Sequence, residues 1–204
     1  MSIEIIHYYD VASPNCYISH KLIPEIEKRT GENFTYVPVL LGGIFKLTDN
    51  SAPFIQFQNV KGKNDYYRLE MTRFLRDHQL TQFKMNPNFP VNTVMTQRGA
   101  IVAEMEGFLM EYADATLNAM WEEGLKMDDP AVFHKALQDA GLNADHIVER
   151  IQNQDVKDKL LANTQAAADR GIFGCPTFFV GDEMFFGKDR MDGVEQEINR
   201  QKSV

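Results

Sequence analysis

Strand character appears at both ends of this chain and vanishes in between, and that alternation restricts the fold more than any other feature. Ile3-Glu4-Ile5-Ile6-His7-Tyr8-Tyr9 is short and rich in β-branched and aromatic residues, which predicts a strand. It runs into Asp10-Val11-Ala12-Ser13-Pro14. Ser13 suits a helix N-cap, and Pro14 suits the first helical position because its missing N–H would be unpaired there anyway. Tyr17, Ile18, Leu22 and Ile26 then recur at helical spacing until Thr30-Gly31 stops the helix. Residues 34–39 read as a second strand. A β-α-β opening of this kind predicts parallel strands and a right-handed crossover.

From Gly42 to Phe57 the pattern predicts irregular chain, punctuated by Gly42-Gly43, Asp49-Asn50-Ser51 and Pro53. Helical periodicity follows. Tyr67, Met71, Phe74 and Leu75 form one apolar stripe, and Ile101, Met105, Phe108, Leu109 and Tyr112 another. Asp129-Pro130 opens a helix closed by Gly141, Asn143 caps a short one around Ile147, Val148 and Ile151, and Val156, Leu160, Thr164 and Ala168 carry the last before Gly171. Strands return at Thr177-Phe178-Phe179-Val180 and Met184-Phe185-Phe186, around a Gly181-Asp182 turn. Asp189-Arg190 starts a closing helix with Met191, Val194 and Ile198 on one face. The expected class is α/β: a thioredoxin-like domain (βαβ…ββα) formed by residues 1–60 and 171–204, interrupted by an all-helical insertion over residues 61–170.

Composition fits this reading and excludes others. At 204 residues with 44% apolar content, the chain can bury roughly 70% of its unfolded surface without disulfide or metal staples. Its formal net charge of −8 disfavours nucleic acid and anionic membrane surfaces. No apolar run approaches the roughly 20 residues that span a membrane. Met1-Ser2-Ile3-Glu4 has no basic segment ahead of an apolar one, so no signal peptide is expected and the protein reads as cytoplasmic. The only cysteines, Cys16 and Cys175, cannot build a secreted scaffold, and no metal site is expected.

Three segments could carry chemistry, and each also has a plainer reading. Ser13-Pro14-Asn15-Cys16 lies where a strand hands over to a helix, and a helix N-terminus stabilises an anion. A hydroxyl at its first position excludes a two-thiol cycle there, although Ser13 could be only a cap and Cys16 only a small buried residue. Phe173-Gly174-Cys175-Pro176-Thr177 precedes the third strand, where the plainer reading of Pro176 is an ordinary strand-initiating proline. In Gly187-Lys188-Asp189-Arg190, Asp189 could cap the last helix; alternatively it could take an ammonium while the helix amides take the neighbouring carboxylate. His7 and His20 read as structural, and His78, His134 and His146 as surface residues.

These motifs, in this order around a helical insertion, resemble the family of 2-hydroxychromene-2-carboxylate isomerases and kappa-class glutathione transferases, part of the wider group of thioredoxin-fold, DsbA-like disulfide oxidoreductases. The resemblance covers essentially the whole chain. Residues 10–14 are similar to the family's Asp-x-x-Ser-Pro segment, residues 181–191 to its C-terminal signature, and Asn118-Ala119-Met120-Trp121 with Glu123-Gly124 to its Asn-Ala-hydrophobic-Trp…Glu-Gly segment. It implies glutathione as cofactor, with Ser13 as the catalytic residue that hydrogen-bonds the ligand sulfur and stabilises its thiolate. It further implies that Cys175 offers its backbone to the ligand, that a cis Pro176 holds that turn, and that Lys188, Asp189 and Arg190 surround the γ-glutamyl group. Asn50 and Lys61, or Lys63 in its place, would meet the ligand's other end.

Asn15 and Cys16 stand where the family commonly has an aromatic residue and a serine, which implies a wider or wetter pocket above the thiol. Phe45, Met85, Asn88 and Phe89 complete the expected substrate pocket, with Phe83 and Trp121 beside them and Arg98 available to a substrate carboxylate. The resemblance implies a small electrophilic substrate, isomerase or transferase turnover, and a homodimer. Two other functions stay open: thiol–disulfide exchange through Cys16, and a non-catalytic thioredoxin-fold binding module.

Overall fold

The computed structural model describes residues 3–203; Met1, Ser2 and Val204, which the sequence reading touches at the N-terminus and at the end of the closing domain, lie outside them. Ile5–Tyr9 (β1) pairs in parallel with Thr35–Pro38 (β2) and antiparallel with Thr177–Val180 (β3), which pairs antiparallel with Glu183–Phe186 (β4). The sheet order is therefore β2-β1-β3-β4. All five β1 residues are buried, as expected for a central strand covered on both faces. Gly181 sits at φ 58° in the β3–β4 turn, a left-handed conformation that glycine adopts without steric penalty.

The helices are Pro14–Thr30 (α1), Leu41–Leu47 (α2), Pro53–Gln56 (α3), Lys63–Asp77 (α4), Val94–Glu106 (α5), Leu109–Trp121 (α6), Pro130–Asp139 (α7), Ala144–Arg150 (α8), Gln154–Asp169 (α9) and Met191–Lys202 (α10). α1 and α10 pack together, with α10 also against β3, while α5 and α9 pack against β2. The α1 boundaries follow the sequence signals, with Pro14 in the first turn and Gly31 as a left-handed C-cap at φ 73°. Asp129 and Asn143 cap α7 and α8 through their side chains, as their positions predict.

Several local expectations need correction. The segment after β2 is not irregular: Gly42 and Gly43 lie inside α2. A Cβ on Gly43 would come within 2.9 Å of Thr164 Cγ2, so glycine there permits the close approach of α2 to α9 rather than marking a turn. The stripe from Ile101 to Tyr112 is two helices, broken at Gly107, whose φ of 85° ends α5. A 3-10 turn over Lys188–Arg190 precedes α10, so the last helix begins two residues later than Asp189 suggests.

Candidate active site

The β1–α1 junction is held by buried polar groups contributed from distant elements. Asp10 is fully buried; its carboxylate accepts from the N–H groups of Ala12 (2.9 Å) and Leu41 (2.7 Å). Burial pushes its pKa up to about 6, while those two amides and the Thr93 hydroxyl pull it back down. The Gln97 amide, buried on α5, donates to the carbonyls of Tyr9 (3.0 Å) and Val39 (2.9 Å) and accepts from Val11 N–H at 3.4 Å. Trp121 Nε1 donates to the Val11 carbonyl at 2.9 Å. Nothing in the sequence singles out Gln97 or Thr93, since their role depends on partners more than fifty residues away.

This brace presents Ser13 at the start of α1. Ser13 occupies the N-cap position, but its hydroxyl does not cap the helix; it donates instead to the Cys175 carbonyl at 3.0 Å. That bond joins the first expected segment to the second across the sheet. The Cys175–Pro176 peptide bond is cis. Among the described residues the N–H groups of Asn15 and Cys175 have no partner within the chain. Pro14 has no N–H, and Cys16 N–H is taken by the Ser13 carbonyl at 3.0 Å. The first turn of α1 therefore offers one free amide beside one hydroxyl.

Both cysteines are free and buried. The neighbouring Cys16 thiol and its own burial hold the Cys175 thiol well above the usual thiol range. Cys175 is thus protonated at neutral pH and is not itself a nucleophile.

The third expected segment joins the same place. Gly187 N–H donates to the Pro176 carbonyl at 2.9 Å, which sets Lys188–Arg190 against the cis-proline loop. Asp189 does not cap α10; its carboxylate accepts from the ammonium of the neighbouring Lys188. Asn50 is also brought in, since its Nδ2 donates to the Phe173 carbonyl at 2.8 Å. Lys61 is exposed and no contact draws it to the loop, while Lys63 holds its ammonium 5.1 Å from the ring centres of both Phe57 and Tyr67.

The expected pocket residues divide. Phe89 lies 5.3 Å from Phe54 and 5.9 Å from Trp121, and Phe83 stacks on Trp121 at 6.0 Å, giving an aromatic wall next to the Val11 carbonyl. Phe45 is half-buried behind Asn50, and Asn15 carries a buried Oδ1 without a partner. Met85 is exposed. Asn88, also exposed, spends its side-chain amide on the Gly124 carbonyl at 3.0 Å. His7 and His20 are buried: His7 Nε2 lies 3.2 Å from Ser19 Oγ, and the two nitrogens of His20 lie 2.9 Å from Tyr36 Oη and from Asp114 Oδ1.

The family model described as a DSBA-like thioredoxin domain matches residues 4–199. The chain is 24% identical over 195 residues to a 2-hydroxychromene-2-carboxylate isomerase of Pseudomonas putida, covering 95% of this chain and 93% of that one. It is 24% identical over 203 residues to glutathione S-transferase kappa 1 of Homo sapiens, covering 91% and 86%. A solved structure of a 2-hydroxychromene-2-carboxylate isomerase superposes with a TM-score of 0.82 at 24% identity, covering 97% of this chain and 95% of that one.

Proposed function

The chain belongs to the DSBA-like thioredoxin domain family, and we propose that within it the protein is a glutathione-dependent isomerase or transferase that acts on a small electrophile. Similarity to isomerases and to a kappa-class glutathione transferase supports enzyme activity of this kind. The observation that carries the reading is the Ser13 hydroxyl, 3.0 Å from the Cys175 carbonyl at the mouth of α1, where a thiol would be needed for disulfide chemistry.

The residues present fit the ligand. Cys175 N–H lacks a partner and suits an extended peptide, and Asn15 N–H lacks one at the anion-stabilising end of α1. Asn50, Lys188, Asp189 and Arg190 would hold the ligand's ends. When bound, glutathione supplies the sulfur that attacks the electrophilic carbon and, in an isomerisation, leaves it again. Ser13, which donates to the Cys175 carbonyl in this structure, would give its O–H to that sulfur instead, because a hydrogen bond to an anion is roughly twice as strong as one between neutral groups. Asn15 N–H and the α1 dipole add to the same stabilisation, so that the site lowers the thiol's pKa. The aromatic wall of Phe83, Phe89 and Trp121 excludes water from the substrate side. The same reading takes residues 61–170 as an inserted helical unit and the protein as a cytoplasmic homodimer.

Ser13→Ala tests it in a glutathione-supplemented assay on 2-hydroxychromene-2-carboxylate. Loss of one such donor lowers turnover about 100-fold or more, with glutathione affinity little changed. Unchanged turnover removes Ser13 from the mechanism. The proximity of the two free, buried cysteines, Cys16 and Cys175, favours a second reading, disulfide exchange through Cys16. It requires exchange activity that Cys16→Ser abolishes.

A further inference from the structure

Seven of the nine arginines donate a hydrogen bond to a carboxylate, hydroxyl or carbonyl oxygen of the chain. The two that do not, among the described residues, are Arg190, beside the cis-proline loop, and Arg98 on α5. Arg98 is half-buried, yet none of its N–H donors meets an acceptor in the chain.

Arg98 lines a cleft of about 340 Å³ formed by the start of α5, the turn before α7 and the end of α8. That volume is at the lower end of the range for small-molecule sites. The cleft has a second charged wall in Asp128. The Asp128 side chain is only 29% exposed, and its carboxylate accepts no hydrogen bond from the described residues. Its one ion-pair partner, Lys126 Nζ, stands 3.6 Å from Oδ1, beyond hydrogen-bond reach. Arg98 and Asp128 do not pair with each other, so two charges of opposite sign face one cleft without being matched. Val94 and Met95 of α5 and Ile151 after α8 add apolar surface to its wall.

We propose that this cleft binds a small zwitterion, a free α-amino acid with an apolar side chain. Its carboxylate sits on the Arg98 guanidinium, whose planar fork suits a bidentate contact, and its ammonium sits on the Asp128 carboxylate. Its side chain lies on Val94, Met95 and Ile151. The pair of unmatched charges selects this class: a dianion would meet Asp128, a plain cation would meet Arg98, and an uncharged molecule would leave both without a partner. The site does not depend on the glutathione reading. Thr93 and Gln97 turn their side chains to Asp10 and to the Tyr9 and Val39 carbonyls, whereas Arg98 and Asp128 make no hydrogen bond to that loop.

Calorimetric titration of the full chain with leucine, N-acetyl-leucine and leucinamide tests this. Leucine should bind with a micromolar to millimolar dissociation constant. Each blocked analogue loses one charged contact and should bind about tenfold more weakly or worse. Arg98→Gln should weaken leucine by a similar factor and abolish the difference between leucine and leucinamide. Asp128→Asn should do the same for the difference between leucine and N-acetyl-leucine. Neither side chain carries a hydrogen bond of the fold, so both variants should keep the wild-type unfolding midpoint. No heat at millimolar leucine, blocked analogues that bind as tightly as leucine, or leucine binding that both substitutions leave unchanged overturns the proposal. Glutathione is absent from every arm, so failure here is distinct from failure of the reading above.

Discussion

Asp10→Asn separates two opposing consequences of burying a carboxylate beneath the candidate active-site loop. Asp10 titrates at about 6 in the folded protein against 3.8 for an unperturbed aspartate, with desolvation as the largest cause. That gap is worth about 3 kcal/mol. Between those values the folded chain binds more protons than the unfolded one. The contribution to stability is therefore fully present below about pH 3.8, falls as the pH rises, and is lost above about pH 6. The variant cannot ionise, so it has no such slope. It does lose an acceptor: Leu41 N–H, 2.7 Å from the carboxylate, would face an amide NH2, which costs about 1–3 kcal/mol. The variant should therefore be less stable than wild type by about 1–3 kcal/mol near pH 4, with the difference closing or changing sign near pH 7. Urea unfolding of both proteins at stepped pH measures this directly. A stability difference that stays constant across the range would refute a raised Asp10 pKa and, with it, the account of how the loop is held.

Two further substitutions test the packing behind the site. Gly99→Ala places a Cβ 2.1 Å from Tyr112 Oη and should cost about 3 kcal/mol in thermal unfolding; combining it with Tyr112→Phe should recover part of that loss, and strict additivity would show that the clash is absorbed elsewhere. Trp121→Phe leaves the buried Val11 carbonyl without its 2.9 Å donor and should cost at least about 1–3 kcal/mol in chemical denaturation, while an unchanged midpoint would mean that Trp121 does not brace the loop.

The parts of this molecule that obey local rules were legible in the residues. β1, the ends of α1, the caps of α7 and α8 and the β3–β4 turn all follow from propensity, proline and glycine positions. The meeting of Ser13 with Cys175 was legible only through the family resemblance, because 162 residues separate them. What stayed hidden depends on tertiary partners. Gly42-Gly43 has the composition of a turn yet is helical, because α9 needs the space. Ser13 and Asp189 both look like caps, but each gives its side chain to a different partner, the Cys175 carbonyl and the Lys188 ammonium. Gln97 looks like an ordinary helix residue until its three backbone partners are seen.

The proposed function turns on ionising a thiol that the protein does not itself supply. Ultraviolet titration of glutathione bound to wild type and to Ser13→Ala measures that ionisation directly. The bound thiol should have a pKa well below the ordinary value of about 8.5 in the wild type, rising toward that value in Ser13→Ala. A thiol that stays protonated at neutral pH on the wild-type protein, or one that titrates identically in both proteins, would contradict it.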